Sequence, residues 1–275
     1  MSASLVPPLL HHDSRFRSDA CRAQVAKSDV DRETGRMCGR YASTRTDAAL
    51  AAEFAVDDVI DEPVEPSWNV SPTQQVRAVL ERSPRDDPDA PATRQLRTLR
   101  WGLVPSWAKD PKIGSKMINA RAESLVSKPA FKAAARRRRC LLPGDGYFEW
   151  QKTDAKTKVP YFLHLGDEPL AFAGLYELRP DPDLPEDDPA RWLWTCTIVT
   201  TAAPDALGFI HDRSPLLVPR GDLRDAWLDP SLTEPDDVQA LINSMPQPPL
   251  EPYEVSTAVN NPRNNGPELV APVTR

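Results

Sequence analysis

Proline is the residue that most limits what this chain can fold into. The 275 residues include thirty prolines and only eleven glycines. Proline fixes φ and lacks the N–H that helix interiors and central strands require. The sequence therefore predicts many short elements joined by rigid turns, with few long helices. With 40% hydrophobic and 27% charged residues, a wholly disordered or fibrous chain is excluded.

The cysteines and the longest apolar runs exclude other classes of protein. No apolar run approaches the roughly 18 residues that a membrane-spanning helix needs. The four cysteines, Cys21, Cys38, Cys140 and Cys196, lie far apart without a C-x-x-C pair. Neither a zinc ribbon nor a disulfide framework is indicated, and we expect a protein of the reducing cytoplasm.

The apolar pattern is mostly typical of strands. Short aromatic or β-branched segments predict strands at 98–104, 140–142, 147–151, 160–165, 171–177 and 192–201. Helices are predicted at 47–54, 129–136, 222–228 and 236–243. We expect a mixed α+β fold around a β-rich core. Residues 1–36 are interpreted as a poorly ordered extension, and residues 37–275 as one domain.

Charge is distributed unevenly along the chain. The formal net charge is −6, yet residues 94–139 hold thirteen Lys or Arg against only Asp110 and Glu123. Such a block in an acidic protein is typical of a polyanion-binding face, and Arg136–Arg139 form its densest run. A solvated basic surface is the alternative.

Cys38 follows Met37 at the predicted start of the domain. Removal of an initiator methionine would expose an N-terminal cysteine, which carries an α-amine beside its thiol. Such a group converts an aldehyde into an imine and then, by sulfur attack, into a thiazolidine. The α-amine pKa of about 7.7–8.0 leaves a useful neutral fraction near pH 7. A small buried thiol is the simpler interpretation.

Three further segments hold candidate functional residues. In an extended segment Asn119 and Arg121 share one face, where amide and guanidinium suit a phosphate or a sugar oxygen. Glu149, flanked by aromatic residues, is expected to be partly desolvated and suited to general-acid catalysis. His211 offers a titratable ring next to Arg213. For each of them a structural role is the alternative.

Tryptophans lie inside and beside the basic block. Trp101 and Trp107 fall within it and Trp68 lies nearby in sequence. Stacking of bases on aromatic rings in a cationic groove is how single strands are held without sequence readout. Because tryptophan is more often a core residue, we expect at least one of the three to be buried.

A series of colinear motifs is more specific than any of these residues alone. They are Met-Cys-Gly-Arg-Tyr at 37–41, Trp-Asn-Val-Ser-Pro at 68–72, Trp-Gly-Leu-Val-Pro-Ser-Trp-Ala-Lys at 101–109, Ile-Asn-Ala-Arg-Ala-Glu at 118–123, Gly-Tyr-Phe-Glu-Trp at 146–150 and Ile-His-Asp-Arg-Ser-Pro at 210–215. Together they resemble the SRAP family, the SOS-response-associated peptidases that are also described as abasic-site processing proteins. The resemblance extends from Met37 to about Val273. It implies a β-rich α+β fold of the SRAP type, with a barrel-like core of short strands and a few peripheral helices.

The resemblance implies a specific activity and specific roles. It implies a monomer that binds single-stranded DNA containing abasic sites and links Cys38 to the sugar aldehyde as a thiazolidine, with lyase and self-processing peptidase activity. It implies catalytic roles for Cys38, Asn119, Glu149 and His211. It implies DNA contacts by Arg40, Trp107, Arg121 and Arg213. Neither a metal nor an organic cofactor is expected. We also expect the protein to associate with the nucleoid during DNA damage.

The segment before Met37 departs from the family pattern. As written, the nitrogen of Cys38 is an amide, which cannot form an imine. Either translation begins at Met37 or the segment is cleaved after it, and we favour the first interpretation. Two other functions stay open: a cysteine peptidase acting on other proteins, and a non-catalytic single-strand-binding module.

Overall fold

A computed structural model describes residues 39–84, 87, 90–153, 158–204 and 207–274. These residues form thirteen strands: β1 Tyr41–Ser43, β2 Asp58–Val59, β3 Ser67–Val70, β4 Gln75–Arg82, β5 Thr93–Trp101, β6 Asn119–Arg121, β7 Arg139–Gly144, β8 Gly146–Lys152, β9 Lys158–His164, β10 Leu170–Pro180, β11 Trp192–Ala202, β12 Arg213–Pro215 and β13 Glu251–Glu254. The α-helices are α1 Asp47–Phe54, α2 Lys132–Arg137, α3 Asp222–Leu228 and α4 Pro235–Ser244. In this part of the chain no helix is long and apolar enough to cross a membrane.

Five strands close on themselves into a barrel. β7 pairs with β4, β4 with β5, β11 with β10 and β10 with β7, all antiparallel. A short parallel pairing of β5 with β11, through Thr195 with Arg100 and Cys196 with Trp101, closes the ring. The expected α+β class with a barrel-like core is therefore confirmed.

Alternation along these strands separates two apolar cores. The side chains of Leu99, Trp101, Cys140, Phe172 and Cys196 belong to the cluster inside the barrel. The opposite faces of the same strands contribute to a second cluster, which the four helices cover. The indole Nε1 of the fully buried Trp101 donates to the Ile118 carbonyl at 2.9 Å, so its polar atom is satisfied.

A second sheet, in the order β13–β9–β8–β1–β3, carries the central strand of the site. Phe148 of β8 and Phe162 of β9 pack against Val259 and Leu269 of the C-terminal segment. Tyr147, the neighbour of Phe148, faces the barrel cluster instead. The two faces of β8 therefore belong to different clusters, with Phe148 on one face and Tyr147 on the other.

Most element boundaries differ from the sequence-based expectation by a few residues. The strand expected at 98–104 ends at Trp101 because Gly102 has φ +122°, a conformation that favours glycine. A side chain there would also clash, since a Cβ on Gly102 would lie 2.6 Å from the Gly114 carbonyl oxygen. α2 begins at Lys132 rather than at 129.

β4 is the barrel strand that the sequence did not predict. Its Arg77 is buried and breaks the apolar pattern of the strand. The guanidinium is satisfied by Asp47 of α1 at 2.8 Å and by the Thr98 hydroxyl at 2.7 Å. Because its charge is paired, Arg77 can be buried in a central strand, although arginine is a residue type that is rarely buried.

The Arg136–Arg139 run does not form one polyanion-binding surface. Arg139 is buried and donates to the backbone carbonyls of Ala135, Trp227, Asp229 and Leu232. Arg138 pairs with Glu177 at 2.8 Å, and Arg136 donates to the Thr233 carbonyl at 2.8 Å. Only Arg137 is exposed. The expectation of a continuous basic surface from this run was wrong, because its members point in different directions around the end of α2.

We predict that Arg139→Ala destabilises the protein by about 3–5 kcal/mol, because several buried carbonyls lose their donor at once. Urea unfolding followed by circular dichroism measures the change. Arg137→Ala is the matched control in the same run, and it should change the free energy of unfolding by less than about 0.5 kcal/mol. Equal losses in both variants would contradict the structural role of Arg139.

Candidate functional site

The C-terminal end of β11 brings two predicted site segments together. β6 pairs in parallel with one edge of β11, Ile198 with Asn119 and Thr200 with Arg121. β12 pairs antiparallel, Thr200 with Pro215 and Ala202 with Arg213. Asn119 and Arg121 therefore lie on one side of this strand end, and Arg213 lies on the other.

β6 presents its polar residues as the alternation predicted. Ile118 and Ala120 are buried, Asn119 is half-buried and Arg121 is exposed. The Ile118 carbonyl accepts from the Ile198 N–H at 3.0 Å and from the Trp101 indole. The barrel thus fixes the backbone immediately before Asn119.

Glu149 lies in the middle of β8 and is only 4% exposed. Its two neighbours on the same face of the strand both contact the segment that carries His211. The Tyr147 hydroxyl lies 3.2 Å from the Ser214 hydroxyl, and the Gln151 amide donates to the Phe209 carbonyl at 3.1 Å. Glu149, between them, therefore faces the segment 209–214, which carries His211.

His211 is held at the start of this segment, directly before β12. Its side chain is 20% exposed, and its Nδ1 lies 2.9 Å from Oδ1 of Asp212 and 3.1 Å from the Arg213 N–H. The two contacts are alternatives, because Nδ1 accepts from the N–H when unprotonated and donates to Asp212 when protonated. Both contacts use Nδ1, which leaves Nε2 as the ring nitrogen that can exchange a proton with a ligand.

The described chain begins beside Glu149. Tyr41 pairs with Tyr147, and the Phe148 N–H donates to the Arg40 carbonyl at 3.0 Å. Continued by one residue, this antiparallel register sets Gly39 opposite Glu149. Cys38, the predicted nucleophile, lies outside the described residues. The buried cysteines among the described residues, Cys140 and Cys196, have thiol pKa values raised by burial, which does not suit nucleophilic catalysis.

Two of the predicted DNA-binding arginines are engaged within the protein. The Arg40 guanidinium donates to the Asn69 side chain and to the Val259 carbonyl, both at 2.8 Å. The Arg213 guanidinium binds both carboxylate oxygens of Glu123 and donates to the Thr200 carbonyl at 2.7 Å. Through its hydrogen bonds, Arg213 lowers the pKa of the Glu123 carboxyl. Arg121, in contrast, is exposed.

Trp107 lies apart from this group, on the loop between β5 and β6. It is 64% exposed, whereas Trp101 is fully buried, as expected for at least one of the tryptophans. Arg179 of β10 donates to the Ala108 and Lys109 carbonyls at 2.8 and 3.1 Å and fixes this loop. Arg179 pairs with Leu193, so Trp107 is anchored toward the end of β11 that is opposite to Thr200.

Apart from the buried Arg139, eight cations of the 94–139 block form no ion pair with another described residue: Arg100, Lys109, Lys112, Lys116, Arg121, Lys128, Lys132 and Arg137. Four of them, Lys109, Lys112, Lys116 and Arg121, lie on the chain that leads from Trp107 to the end of β6. A stretch with four cations and one carboxylate, Asp110, therefore connects the exposed tryptophan with the strand that carries Asn119. Among the described residues no group of His, Cys, Asp or Glu could hold a metal ion.

Sequence reasoning did not identify the residues that orient the site. Gln151 acts by donating to the Phe209 carbonyl, and Thr200 acts by pairing with both β6 and β12. The sequence reveals neither contact. Glu123 was noted only as one of two acidic residues in the basic block. Its unusual charge there was the only sequence feature that pointed to its pairing with Arg213.

Comparisons with known proteins place the chain among relatives. A family model described as SOS response associated peptidase (SRAP) matches residues 37–262. The chain is 40% identical over 236 residues to the abasic site processing protein YoqW of Bacillus subtilis, covering 85% of this chain and 99% of that protein. It is 30% identical over 232 residues to the abasic site processing protein HMCES of Xenopus tropicalis, covering 76% and 67%.

Solved structures share the fold. A crystal structure of a protein from Bacteroides thetaiotaomicron matches with a TM-score of 0.68 at 22% identity and covers 86% of this chain and all of that one. A phage-related protein from Bordetella bronchiseptica matches with a TM-score of 0.57 at 28% identity, covering 79% of this chain and 94% of that one. The extent of the family match, together with relatives aligned over most of their length, shows that the chain belongs to the SRAP family.

Proposed function

We propose that the protein captures abasic sites in single-stranded DNA by forming a thiazolidine between Cys38, once N-terminal, and the sugar aldehyde. The observation that carries this proposal is the register of β1 with β8. Extended from Tyr41 toward the N-terminus, this register sets Gly39 opposite the buried Glu149. The proposal requires the α-amine and thiol of Cys38 to reach this carboxyl group, and Cys38 is bonded directly to Gly39. The names of the YoqW and HMCES relatives support the same substrate.

The chemistry requires only groups that the site offers. The neutral α-amine attacks C1′ of the ring-opened sugar, and the carbinolamine loses its hydroxyl as water to give an imine. The thiol then adds its sulfur to the imine carbon while its proton passes to the nitrogen, which closes a five-membered ring. The net change is aldehyde plus aminothiol to thiazolidine plus water, with no oxidant or reductant.

Each site residue has a role that matches its position. Glu149 supplies the proton for sugar opening and for the departing hydroxyl, since it is buried next to the start of the described chain. His211 relays protons through Nε2, and the Asn119 amide holds the sugar or the amine. Lyase activity would arise if the imine eliminates the 3′ phosphate before sulfur closes the ring. Self-processing would expose Cys38 if residues 1–37 are present at synthesis.

The basic path between Trp107 and Arg121 is proposed to bind the DNA strand. Its four cations outnumber its one carboxylate, Asp110, and none of them forms an ion pair with a described acidic residue, so phosphates can contact them directly. Arg40 and Arg213 would instead act mainly by fixing the C-terminal segment and the β11–β12 edge, because their guanidinium groups already have partners. Phosphate binding by Arg213 would require Glu123 to yield part of its contact.

The decisive experiment uses protein that begins at Cys38 and single-stranded DNA with one abasic site. We expect a covalent complex that survives heating in denaturing gel electrophoresis. Cys38→Ala, or one extra residue before Cys38, should abolish it, because either change removes the aminothiol. Peptide hydrolysis without a covalent complex would favour the peptidase alternative, and binding without either would favour a non-catalytic module.

Glu149→Gln should slow the cross-linking rate about 10²- to 10⁴-fold, because the proton donor is lost while the shape of the side chain is kept. DNA affinity, measured separately by fluorescence anisotropy, should change little. Glu65→Gln is the matched control, since Glu65 is an exposed carboxylate outside the site. An unchanged rate in Glu149→Gln would exclude it as the acid.

Trp107→Ala should weaken binding to single-stranded DNA roughly 5- to 150-fold, the range expected when one base loses an aromatic stacking partner. Arg121→Ala should reduce the slope of log affinity against log salt by about 0.7, as one phosphate contact is lost. Fluorescence anisotropy at several salt concentrations measures both. Val59→Ala, at another exposed apolar residue, should leave both unchanged.

A further inference from the structure

Phe209 is an exposed aromatic residue at the rim of the site. It is 53% exposed and lies two residues before His211. Among the described residues the other large hydrophobic side chains with comparable exposure are Val59, Trp107 and Val273. Single exposed hydrophobic residues are common, so exposure alone does not assign Phe209 a function, and the position of its ring decides.

The backbone of Phe209 is firmly positioned. Leu207 and Ile210 on either side are buried in the barrel cluster, and the Ile210 N–H donates to the Leu207 carbonyl at 2.9 Å. The carbonyl of Phe209 itself accepts from the Gln151 amide of β8 at 3.1 Å. The segment therefore presents the phenyl ring from a fixed turn, at low cost in conformational entropy on binding.

The ring of Phe209 is directed toward the Glu149 face of the sheet. It meets the Tyr161 ring edge to face, with centroids 6.0 Å apart and planes at 90°. Tyr161 is paired with Glu149 across β8 and β9, and directly opposed residues in an antiparallel pair point to the same face. Phe209 thus borders the face that carries the proposed proton donor.

We infer that Phe209 is a positioning residue that stacks on the nucleobase next to the lesion. The inference rests on the proposed function. An abasic nucleotide leaves its neighbouring base without a stacking partner on one side, and an exposed aromatic ring at the site rim can supply that surface. Stacking there would hold the reactive sugar against Glu149 and His211, and would favour a lesion over an intact strand.

The test measures noncovalent binding of the full chain to single-stranded DNA with a tetrahydrofuran abasic analogue, which has no aldehyde. A 2-aminopurine base is placed on the 5′ or the 3′ side of the analogue, and its fluorescence reports stacking. We expect the wild type to quench one of the two probes. Phe209→Ala should lose this quenching and weaken affinity roughly 5- to 150-fold.

Two further variants separate stacking from apolar contact. Phe209→Leu keeps an apolar side chain but no ring and should behave like Phe209→Ala, whereas Phe209→Trp should retain affinity and quenching. Circular dichroism and thermal midpoints verify that each variant is folded, and Val59→Ala should match the wild type in every measurement.

The outcomes distinguish this inference from the proposed function. If the wild type binds but Phe209→Ala or Phe209→Leu binds and quenches equally well, or if neither probe responds to the wild type, the role of Phe209 is wrong. If the wild type does not bind the DNA at all, the proposed function fails with it. Covalent capture of a natural abasic site together with an indifferent Phe209 would overturn the inference alone.

Discussion

The path of β11 is the constraint on which both the barrel and the candidate site depend. Near its start this strand makes the parallel contact with β5 that closes the barrel. Toward its end it pairs with β6 on one side and β12 on the other, and Thr200 lies in both pairings. A shift of one residue in β11 would turn its barrel-facing side chains outward and would displace Asn119 relative to Arg213. The strand register that closes the barrel therefore also fixes the relative positions of the site residues.

Arginine has two separate tasks in this protein, and sequence density does not distinguish them. Arg77, Arg139 and Arg40 are partly or fully buried, and their guanidinium groups satisfy carboxylate and carbonyl acceptors that would otherwise lack donors. The planar, five-donor guanidinium suits such bridging. The cations available to a polyanion are those that the fold leaves without acidic partners, such as Arg121 and the lysines after Trp107.

The sequence predicted the fold class and most barrel strands because their apolar alternation is a local signal. The boundaries of α1 and α3 agree with the structure, since both helices begin with an aspartate, Asp47 and Asp222, and Thr46 caps α1 by accepting from the Ala49 N–H. β4 was missed because the partner of Arg77, Asp47, is thirty residues away. The partners of Arg40 and Arg213 could not be predicted for the same reason, because long-range pairing is set by the closed barrel. The roles assigned to Cys38, Asn119, Glu149 and His211 stay predictions.

The arrangement around Glu149 explains why a reactive terminus would need a preformed environment. A flexible N-terminus carrying an aminothiol would meet an aldehyde in water without an acid at hand. Strand pairing through Tyr41 restricts that freedom, because it and the hydrogen bond from the Phe148 N–H to the Arg40 carbonyl fix the chain to β8 two residues after Cys38. The segment 209–214, which carries His211, is fixed to β8 by the contacts of Tyr147 with Ser214 and of Gln151 with Phe209. Holding amine, acid and sugar in one geometry can replace much of the entropy that a bimolecular reaction loses, so positioning by these strands would be the main contribution of the fold to the proposed reaction.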